Sequence, residues 1–162
     1  MPPPERYNTR YNLGVGGAVV KDGKLLLVRR ASRRGRGNWQ IPGGFVEQDE
    51  TMEQAVVREV QEEAGVTARV QGVLGIRNRY DPDSDNSTYV ILALSPVEGE
   101  PTPDEHEVDM AGYFSLEEID ALEQVPPINR EVARRALDPE RRLLDPQMVT
   151  QPTGLTYMLF IG

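Results

Sequence analysis

The chain has 162 residues, with 26 acidic and 18 basic side chains, a formal net charge of −8, no cysteine and one histidine, His106. The lack of cysteine excludes disulfides, thiolate catalysis and iron–sulfur clusters, and a single histidine excludes a multi-histidine metal centre. Any bound metal ion would therefore have oxygen ligands, which suit hard ions such as Mg²⁺, Mn²⁺ or Ca²⁺. The acidic balance argues against non-specific binding to nucleic acid or to an anionic membrane.

The length predicts one domain over residues 1–162, with an N-terminal extension at 1–12 and a C-terminal extension at 139–162. No stretch approaches the roughly 18 consecutive apolar residues of a membrane span. Residues 1–12 lack the apolar centre of a signal peptide. We therefore expect no membrane association and a cytoplasmic location, and we leave monomer and homodimer open.

The first half of the chain predicts several strands and one long helix. Asp22-Gly23 is a hairpin turn signal between two apolar runs, and Pro42-Gly43-Gly44 is expected to stop a short strand. Gly65 is placed to end the helix in the left-handed conformation. The predicted elements are strands at 13–20, 24–30 and 39–41, a basic loop at 31–38, a loop at 45–50, a helix at 51–64, and an extended segment at 66–80 broken near Gly72 or Gly75.

The second half mixes strands with short helices. Ser115 and Glu118 form a predicted capping box at the start of one of them. The predicted elements are a turn at 81–87, strands at 88–96 and 108–114, an acidic loop at 98–107, helices at 116–122 and 129–137, and at 155–161 either a last strand or an apolar tail. This alternation predicts an α/β fold in which a mixed sheet is flanked by helices.

The helix at 51–64 carries three glutamates on one face. Glu59, Glu62 and Glu63 are spaced i, i+3 and i+4, which confines them to an arc of about 100°. Carboxylates this close raise one another's proton affinity, and a cation between them removes that cost. Aliphatic residues on the adjoining face anchor the helix to the core. Taken alone, such a run is more often a solvated surface.

The residues around this helix favour a functional interpretation. Positions 44–66 read GFVEQDETMEQAVVREVQEEAGV. This segment resembles the signature of the Nudix hydrolases at every defining position. The resemblance extends over most of residues 13–137 and implies the α/β/α Nudix sandwich. The positions that carry it are Gly44, Glu50, Arg58, Glu59, Val60, Glu62, Glu63, Gly65 and Val66.

The resemblance implies hydrolysis of the pyrophosphate linkage in a nucleoside diphosphate joined to another moiety, with ADP-ribose as one candidate. Divalent cations would neutralise the pyrophosphate and activate a water molecule. Two alternatives stay open: a nucleoside triphosphate pyrophosphohydrolase that cleans the nucleotide pool, and a non-catalytic nucleotide-sensing domain. Pro82 lies sixteen residues beyond the signature, where the ADP-ribose pyrophosphatases also have a proline. This is a weak resemblance to that subgroup.

Carried over residue by residue, the resemblance implies that Glu59, Glu62 and Glu63 are metal ligands. Gly43 and Gly44 let the backbone approach the ion, through a carbonyl, because they have no side chain. One of the glutamates, with Glu62 as our choice, or an acid from a loop would take the proton from the attacking water.

The same resemblance implies supporting roles for three further positions of the signature. Arg58 matches the arginine that orients the glutamates through a charge-assisted fork, so we count it with the catalytic group. Glu50 is either the structural partner of that arginine or a further ligand. Gly65 is expected to be structural.

Candidates outside the signature are fewer. Arg29 and Arg30 open a run of arginines that suits substrate phosphates, and Arg29 is expected to point into the cleft. Tyr80 and Tyr89 are candidates to flank a base, with packing as the alternative. In the acidic loop, Glu107 is preferred as general base because it adjoins the strand at 108–114. A solvated loop is the alternative there.

Overall fold

A computed structural model describes residues 11–80, 82–83 and 86–162. In these residues a seven-stranded mixed sheet is accompanied by a separate two-stranded sheet. The elements in chain order are β1 (Asn12–Lys21), β2 (Lys24–Arg30), β3 (Trp39–Gln40), β4 (Gly43–Phe45), α1 (Met52–Ala64), β5 (Thr67–Arg79), β6 (Ser87–Glu98), β7 (Val108–Phe114), α2 (Leu116–Ala121), α3 (Pro127–Ala136), β8 (Asp145–Thr150) and β9 (Thr156–Ile161).

Strand β1 is central to the larger sheet. It pairs in parallel with β6 and antiparallel with β2 and β4. The strand order is β3-β2-β1-β6-β5, with β4 also on β1 and β7 also on β2. Parallel and antiparallel neighbours in one sheet confirm the predicted mixed-sheet α/β class.

The helices cover both faces of the sheet, and β2 shows how the sequence achieves this. Leu26 and Val28 pack in the cluster that contains the buried side of α1. Leu25 and Leu27 pack in the other cluster, with the apolar residues of α2 and α3. Successive side chains of a strand point to opposite faces, so a continuous apolar strand fills both layers.

Helix α1 ends as its sequence predicts and begins one residue later than predicted, because Thr51 is its N-cap. The Thr51 hydroxyl accepts a hydrogen bond from the Gln54 backbone N–H, and the Gln54 side chain accepts one from Thr51 N–H. Gly65 closes the helix in the left-handed region, with φ 65°, and its N–H donates to the Gln61 carbonyl. These caps fix the helix that carries the three glutamates.

The predicted stop at Pro42-Gly43-Gly44 and the loop starting at residue 45 are wrong in part. Gly43–Phe45 forms β4, with Gly43 opposite Gly16 and Gly44 opposite Val15. A three-residue strand is too short to show a periodic pattern. A Cβ on Gly43 would lie 2.2 Å from the Val15 carbonyl oxygen, so this close approach needs glycine.

Other boundaries also differ from the predictions. The segment expected to break near Gly72 or Gly75 is one strand, β5, whose pairing shifts register on the N-terminal side of each glycine. These irregularities let the strand continue where a break was expected. Helix α3 begins at Pro127, two residues before the predicted start, because proline is well tolerated in the first helical turn.

The C-terminal residues form a hairpin. Strand β9 confirms the strand alternative at 155–161, but the sequence analysis missed its antiparallel partner β8. Strand β8 opens with Asp145-Pro146 and is mostly exposed, so it lacks the apolar signal of a buried strand. Of the turn predicted at 81–87, residues 81, 84 and 85 lie outside the described part. Within the described residues, no helix is long and apolar enough to cross a membrane.

Candidate active site

Glu63 is the most buried acid of the α1 face. Its side chain is almost fully covered, and its Oε2 accepts a hydrogen bond of 3.1 Å from the Gly43 N–H on β4. The pKa of Glu63 is raised to about 8, chiefly by burial; the Gly43 N–H and the charge of Arg30 oppose the rise, and the charges of Glu59 and Glu107 contribute to it. A carboxyl group in this setting favours a proton or a cation beside it.

Glu59 lies one helical turn before Glu63 and points to the same strand. A Cβ on Gly44 would be 2.3 Å from its Oε1, so the missing side chain of Gly44 makes room for the carboxylate. Burial raises the pKa of Glu59, Arg58 opposes this, and the charges of Glu62 and Glu107 add to it. Gly43 therefore donates its N–H to Glu63, and the missing side chain of Gly44 leaves room for Glu59.

Arg58 connects the acids of this region. Its Nε and Nη2 donate to the two carboxylate oxygens of Glu50, at 2.9 and 2.6 Å. Its Nη1 donates to Glu59 at 2.9 Å and to Glu62 at 3.2 Å, and Nη2 also donates to the Phe45 carbonyl at 3.3 Å. The geometry agrees with the predicted orienting role, and it favours Glu50 as the structural partner because both its oxygens are engaged.

Glu62 is placed differently from the other two glutamates. Its side chain is 59% exposed and contacts Arg58. Among the described residues, no three acidic or histidine side chains are gathered closely enough to hold a metal ion as they stand. The donor chemistry nevertheless fits Mg²⁺ or Mn²⁺, because carboxylates and a backbone carbonyl are hard oxygen ligands. For all three carboxylates to bind one ion, the Glu62 side chain would have to turn from solvent toward Glu59 and Glu63.

The structure brings Glu107 to the same region, since its charge raises the pKa of both Glu59 and Glu63. Its loop is held by Asp104, whose Oδ1 accepts the backbone N–H groups of residues 106, 107 and 108 at 2.9, 2.9 and 3.0 Å. The Glu107 carbonyl also accepts the Ala31 N–H at 2.8 Å. These bonds fix the backbone at Glu107, whose side chain is exposed.

A cleft of about 330 Å³ opens beside Gly43 and Gly44. Three arginines line it, which makes it basic within an acidic protein. Its other lining residues are mostly polar or aromatic. The lining includes Asn12, Arg30, Gln40, Phe45, Arg77, Arg79, Ser87, Thr88, Tyr89 and Asn129.

Arg30 lines this cleft, but the structure does not place Arg29 there. The Arg29 Nε and Nη2 donate to the Asp109 carboxylate at 2.8 and 3.0 Å, and the guanidinium lies over Trp39, with its central carbon 5.8 Å from a ring centroid. Successive strand residues face opposite sides, so one arginine of the pair faces the cleft and the other does not. The expectation that Arg29 is the one pointing inward is therefore corrected in favour of Arg30.

Of the two tyrosine candidates, the structure places only Tyr89 in the cleft. Tyr80 is 75% exposed, follows the end of β5 and does not line the cleft. Tyr89 lines the cleft and is packed over glycines, since a Cβ on Gly16 would lie 2.3 Å from its hydroxyl and one on Gly43 2.5 Å from it. Burial, followed by the charge of Glu63, raises the pKa of Tyr89.

The sequence analysis missed Arg77 and Asn129. Arg77 lies on β5 and enters the cleft through the β5–β6 pairing, where it is opposite Tyr89. Asn129 is buried on α3, and its Oδ1 accepts the Ile41 N–H at 3.0 Å. A signal for Asn129 was its position in the first turn of an otherwise apolar helix face. Arg77 had none, because its place depends on strand register.

Taken together, these features define a class of protein, an α/β sandwich whose acidic helix face and basic cleft suit a phosphorylated ligand together with a cation. The model of the NUDIX domain matches residues 10–136. The chain belongs to the Nudix hydrolase family, which confirms the family predicted from residues 44–66. Members of this family generally use divalent metal ions.

Similar proteins carry several names. An ADP-ribose pyrophosphatase of Methanocaldococcus jannaschii is 34% identical over 110 residues, which make up 68% of this chain and 65% of that protein, just under two thirds. A MutT-like protein of Streptomyces ambofaciens is 33% identical over 130 residues, covering 72% of this chain and 80% of that one. The crystal structure of a MutT Nudix hydrolase from Burkholderia pseudomallei matches with a TM-score of 0.68 at 26% identity, covering 76% and 96%.

Proposed function

We propose that this chain hydrolyses the pyrophosphate linkage of a nucleoside diphosphate joined to another moiety, such as ADP-ribose. One observation carries the proposal: the carboxylates of Glu63, which is buried, and of Glu59, which is partly buried, lie against the glycine pair of β4, at the edge of an arginine-lined cleft. In this proposal the carboxylates hold a cation and the neighbouring arginines hold phosphate. The similarity to a relative named as an ADP-ribose pyrophosphatase supports the choice of substrate.

In this proposal Glu59, Glu62 and Glu63, with the Gly43 carbonyl, hold Mg²⁺ or Mn²⁺. A divalent ion bound there would neutralise pyrophosphate charge and lower the pKa of a water molecule. Arg58 keeps Glu59 and Glu62 in position through its Nη1 and is itself fixed by Glu50. These residues determine where the pyrophosphate lies.

We assign the proton-accepting role to Glu107, with Glu62 as the alternative. Glu107 adjoins the buried acids and is exposed, so its carboxylate can reach a water molecule and release the proton to solvent. Arg30 faces the cleft and binds substrate phosphate oxygens. Arg29 and Tyr80 have no part in this proposal, because neither lines the cleft.

A nucleoside triphosphate pyrophosphohydrolase remains the second candidate, and the cleft itself favours it. Arg30, Arg77 and Arg79 put three positive charges into one small cleft. A triphosphate carries more negative charge than ADP-ribose and would use such a cleft more fully. The non-catalytic sensing domain has no such support, because all the signature carboxylates are present.

A substrate panel tests the proposal. Release of the nucleoside monophosphate, and of pyrophosphate from the triphosphates, is measured with Mg²⁺ and with Mn²⁺ for ADP-ribose, other nucleoside diphosphate sugars, dinucleoside polyphosphates and nucleoside triphosphates. We expect AMP and ribose 5-phosphate from ADP-ribose and no activity with chelator present. If kcat/KM for any nucleoside triphosphate is about tenfold higher than for ADP-ribose, a difference of about 1.4 kcal/mol, the second candidate replaces the first. No hydrolysis of any substrate rejects both.

A further inference from the structure

Strands β8 and β9 form a hairpin that joins the main sheet beside β5. Leu144, just before β8, forms an antiparallel bridge with Val73 on β5, and both backbone hydrogen bonds of this bridge are 3.0 Å long. Phe160 on β9 packs against the core cluster that contains the buried side of α1. A two-stranded hairpin is at best marginally stable by itself, so a further neighbour would stabilise this one.

Apolar side chains remain exposed on both faces of this hairpin. Tyr157, Leu159 and Ile161 alternate along β9 with Met158 and Phe160, so the two sets point to opposite faces. A contiguous exposed apolar surface of this kind marks an interaction site. The large apolar residues from position 144 onward that are between 38% and 69% exposed are Leu144, Met148, Leu155, Tyr157, Met158, Leu159 and Ile161.

One edge of β9 has no strand beside it within the described part of the chain. The Gln151 N–H donates to the Leu155 carbonyl at 2.8 Å and closes the hairpin. In an antiparallel pair, hydrogen-bonded and non-hydrogen-bonded positions alternate from that point along the register. The backbone N–H and C=O groups that point away from β8 are therefore those of Thr156, Met158 and Phe160.

The two strands of the hairpin protect their outer edges differently. Natural edge strands are usually protected against further pairing by a charge, a proline or a bulge. Strand β8 begins with Asp145-Pro146, and its register places Pro146, which has no N–H, on the outer edge. Strand β9 reads TYMLFI and contains no charged residue, proline or glycine. The outer edge of β9 is therefore the one suited to strand pairing.

A second copy of this chain offers a matching edge. An antiparallel register centred on Met158 sets Met158 opposite itself and Thr156 opposite Phe160, so each outward N–H meets an outward carbonyl. On the other face Tyr157 lies opposite Leu159, and such aromatic–aliphatic pairs stabilise sheets. Because both partners use the same strand, the contact has two-fold symmetry and closes at two chains.

Charge and area also favour a second copy. The chain carries a net charge of −8, but Asp145 is the one charged residue in the sequence from 144 to 162. A basic partner would need more acidic groups than this, whereas an uncharged apolar surface is matched by an identical one. At roughly 80 Å² for each exposed apolar residue, a pair of copies covers about 1,000 Å², the area that a specific interface needs.

We propose that β9 is the interface of a homodimer, in which the β9 strands of two copies pair antiparallel and join the two hairpins into one four-stranded sheet. The outward N–H groups of Thr156, Met158 and Phe160 then gain carbonyl acceptors, and the apolar side chains beside them leave water. The hairpin lies outside the set of residues that line the cleft, so this inference does not depend on the proposed function.

Analytical ultracentrifugation of the full chain tests the interface with two matched variants, Met158→Pro and Met148→Pro. The two methionines lie directly opposite each other, and each N–H points away from the other strand, so neither proline removes a bond within the hairpin. Met158→Pro is expected to raise the dissociation constant of the dimer by about 100-fold, because it removes the N–H at the centre of the pairing. Met148→Pro should dimerise as the wild type does.

A wild type that stays monomeric at about 100 μM overturns the proposal, as does equal association of Met158→Pro and the wild type. Equal loss of association in both proline variants also overturns it. Thermal unfolding checks the fold of each variant. If Met158→Pro does not fold, Leu159→Lys carries the same expectation, because lysine opposes pairing at an edge, and Gln147→Lys on β8 is its control. Unchanged association of a folded Leu159→Lys overturns the interface.

Amide hydrogen exchange locates the contact residue by residue. In the dimer the Thr156, Met158 and Phe160 amides should exchange slowly and become fast on dilution, while Tyr157 and Leu159 stay protected by β8. Slow exchange of the outward amides in a monomeric wild type would assign the edge to another segment of the chain. Fast exchange in a monomeric wild type would leave the edge to a different protein. Either result overturns the second copy as the partner.

Discussion

Glu50 and Arg58 form a two-pronged ion pair, with Arg58 Nε 2.9 Å from Oε2 and Nη2 2.6 Å from Oε1 of the carboxylate. The Glu47 N–H donates to the same Oε1 at 2.9 Å. The pKa of Glu50 is lowered to about 2, first by the hydrogen bonds from Arg58 and next by the Glu47 N–H. The fork leaves Nη1 of Arg58 free to reach Glu59 and Glu62, so Glu50 sets the position of the acids through the arginine.

Replacing Arg58 by lysine should reduce activity although the charge is kept. Lysine has no planar fork, so it cannot hold Glu50 with two bonds and reach Glu59 with a third donor. We expect kcat to fall by about tenfold to about a hundredfold, the range for residues that orient ligands. Steady-state kinetics with ADP-ribose measures this, and activity equal to the wild type would show that Arg58 is a surface charge.

The low pKa of Glu50 predicts a specific pH dependence of stability. Its ordinary value is 4.5 and its folded value is about 2. The folded protein holds the charged form more strongly, so the contribution to stability is present above about pH 4.5 and is lost as the pH falls toward about 2. In chemical unfolding, the free energy of unfolding of the wild type should exceed that of Glu50→Gln at about pH 6, and this difference should be smaller at about pH 3. A constant difference between the two proteins contradicts the ion pair.

Glu59→Gln and Glu63→Gln should each lower kcat by about 10²–10⁴-fold, as expected for loss of charge stabilisation at a reacting centre. The neutral amide cannot balance a cation, while its shape is nearly unchanged. The fold should survive, which thermal unfolding checks. Glu53→Gln, on the first turn of the same helix, is the matched control and should be fully active. Normal activity in either test variant rejects the assignment.

Gly44→Ala tests the space that Glu59 occupies. The added Cβ would lie 2.3 Å from Glu59 Oε1 and must displace the carboxylate. The concentration of Mg²⁺ for half-maximal activity should rise by about 10- to 100-fold, the usual effect of disturbing a ligand's support. Gly75→Ala is the control, because nothing lies within 4 Å of its Cβ position. Equal Mg²⁺ dependence in the two variants would remove Gly44 from the site.

Glu107→Gln and Glu105→Gln compare two neighbours in one loop. The charge of Glu107 acts on both Glu59 and Glu63, which places it by the acids. Glu107→Gln should lower kcat by about 10²–10⁴-fold, with KM little changed, as expected on loss of a general base. Glu105→Gln should leave kcat at the wild-type level. If both variants are fully active, Glu62 takes the proton-accepting role.

Local sequence patterns predicted the helix that carries the acids. Thr51 and Gly65 fix its ends, and the i, i+3, i+4 spacing of its glutamates fixes their common face. Such features depend on neighbours within about one helical turn, so the chain itself specifies them. Their protonation was not predictable in detail, because the raised pKa of Glu63 depends on burial against β4.

The two arginines of β2 show where local patterns fail. Both Arg29 and Arg30 lie in one basic run, and their sequence gives no sign of which one faces the cleft. Asp109 on β7 pairs with Arg29, an interaction between residues 80 positions apart. Arg30 lines the cleft instead, and its Nη2 donates to the Ser32 hydroxyl.

The sequence by itself determined the family, the C-terminal cap of α1 at Gly65 and the acidic face, because these depend on residue types at short spacings. The tertiary structure decided which arginines enter the cleft, how far each glutamate is buried and what surrounds Tyr89. Those properties come from strand register, as in the pairing of Gly16 with Gly43 and of Arg77 with Tyr89. Register brings distant residues together and is selected by the packing of the whole sheet, so no local pattern could contain it.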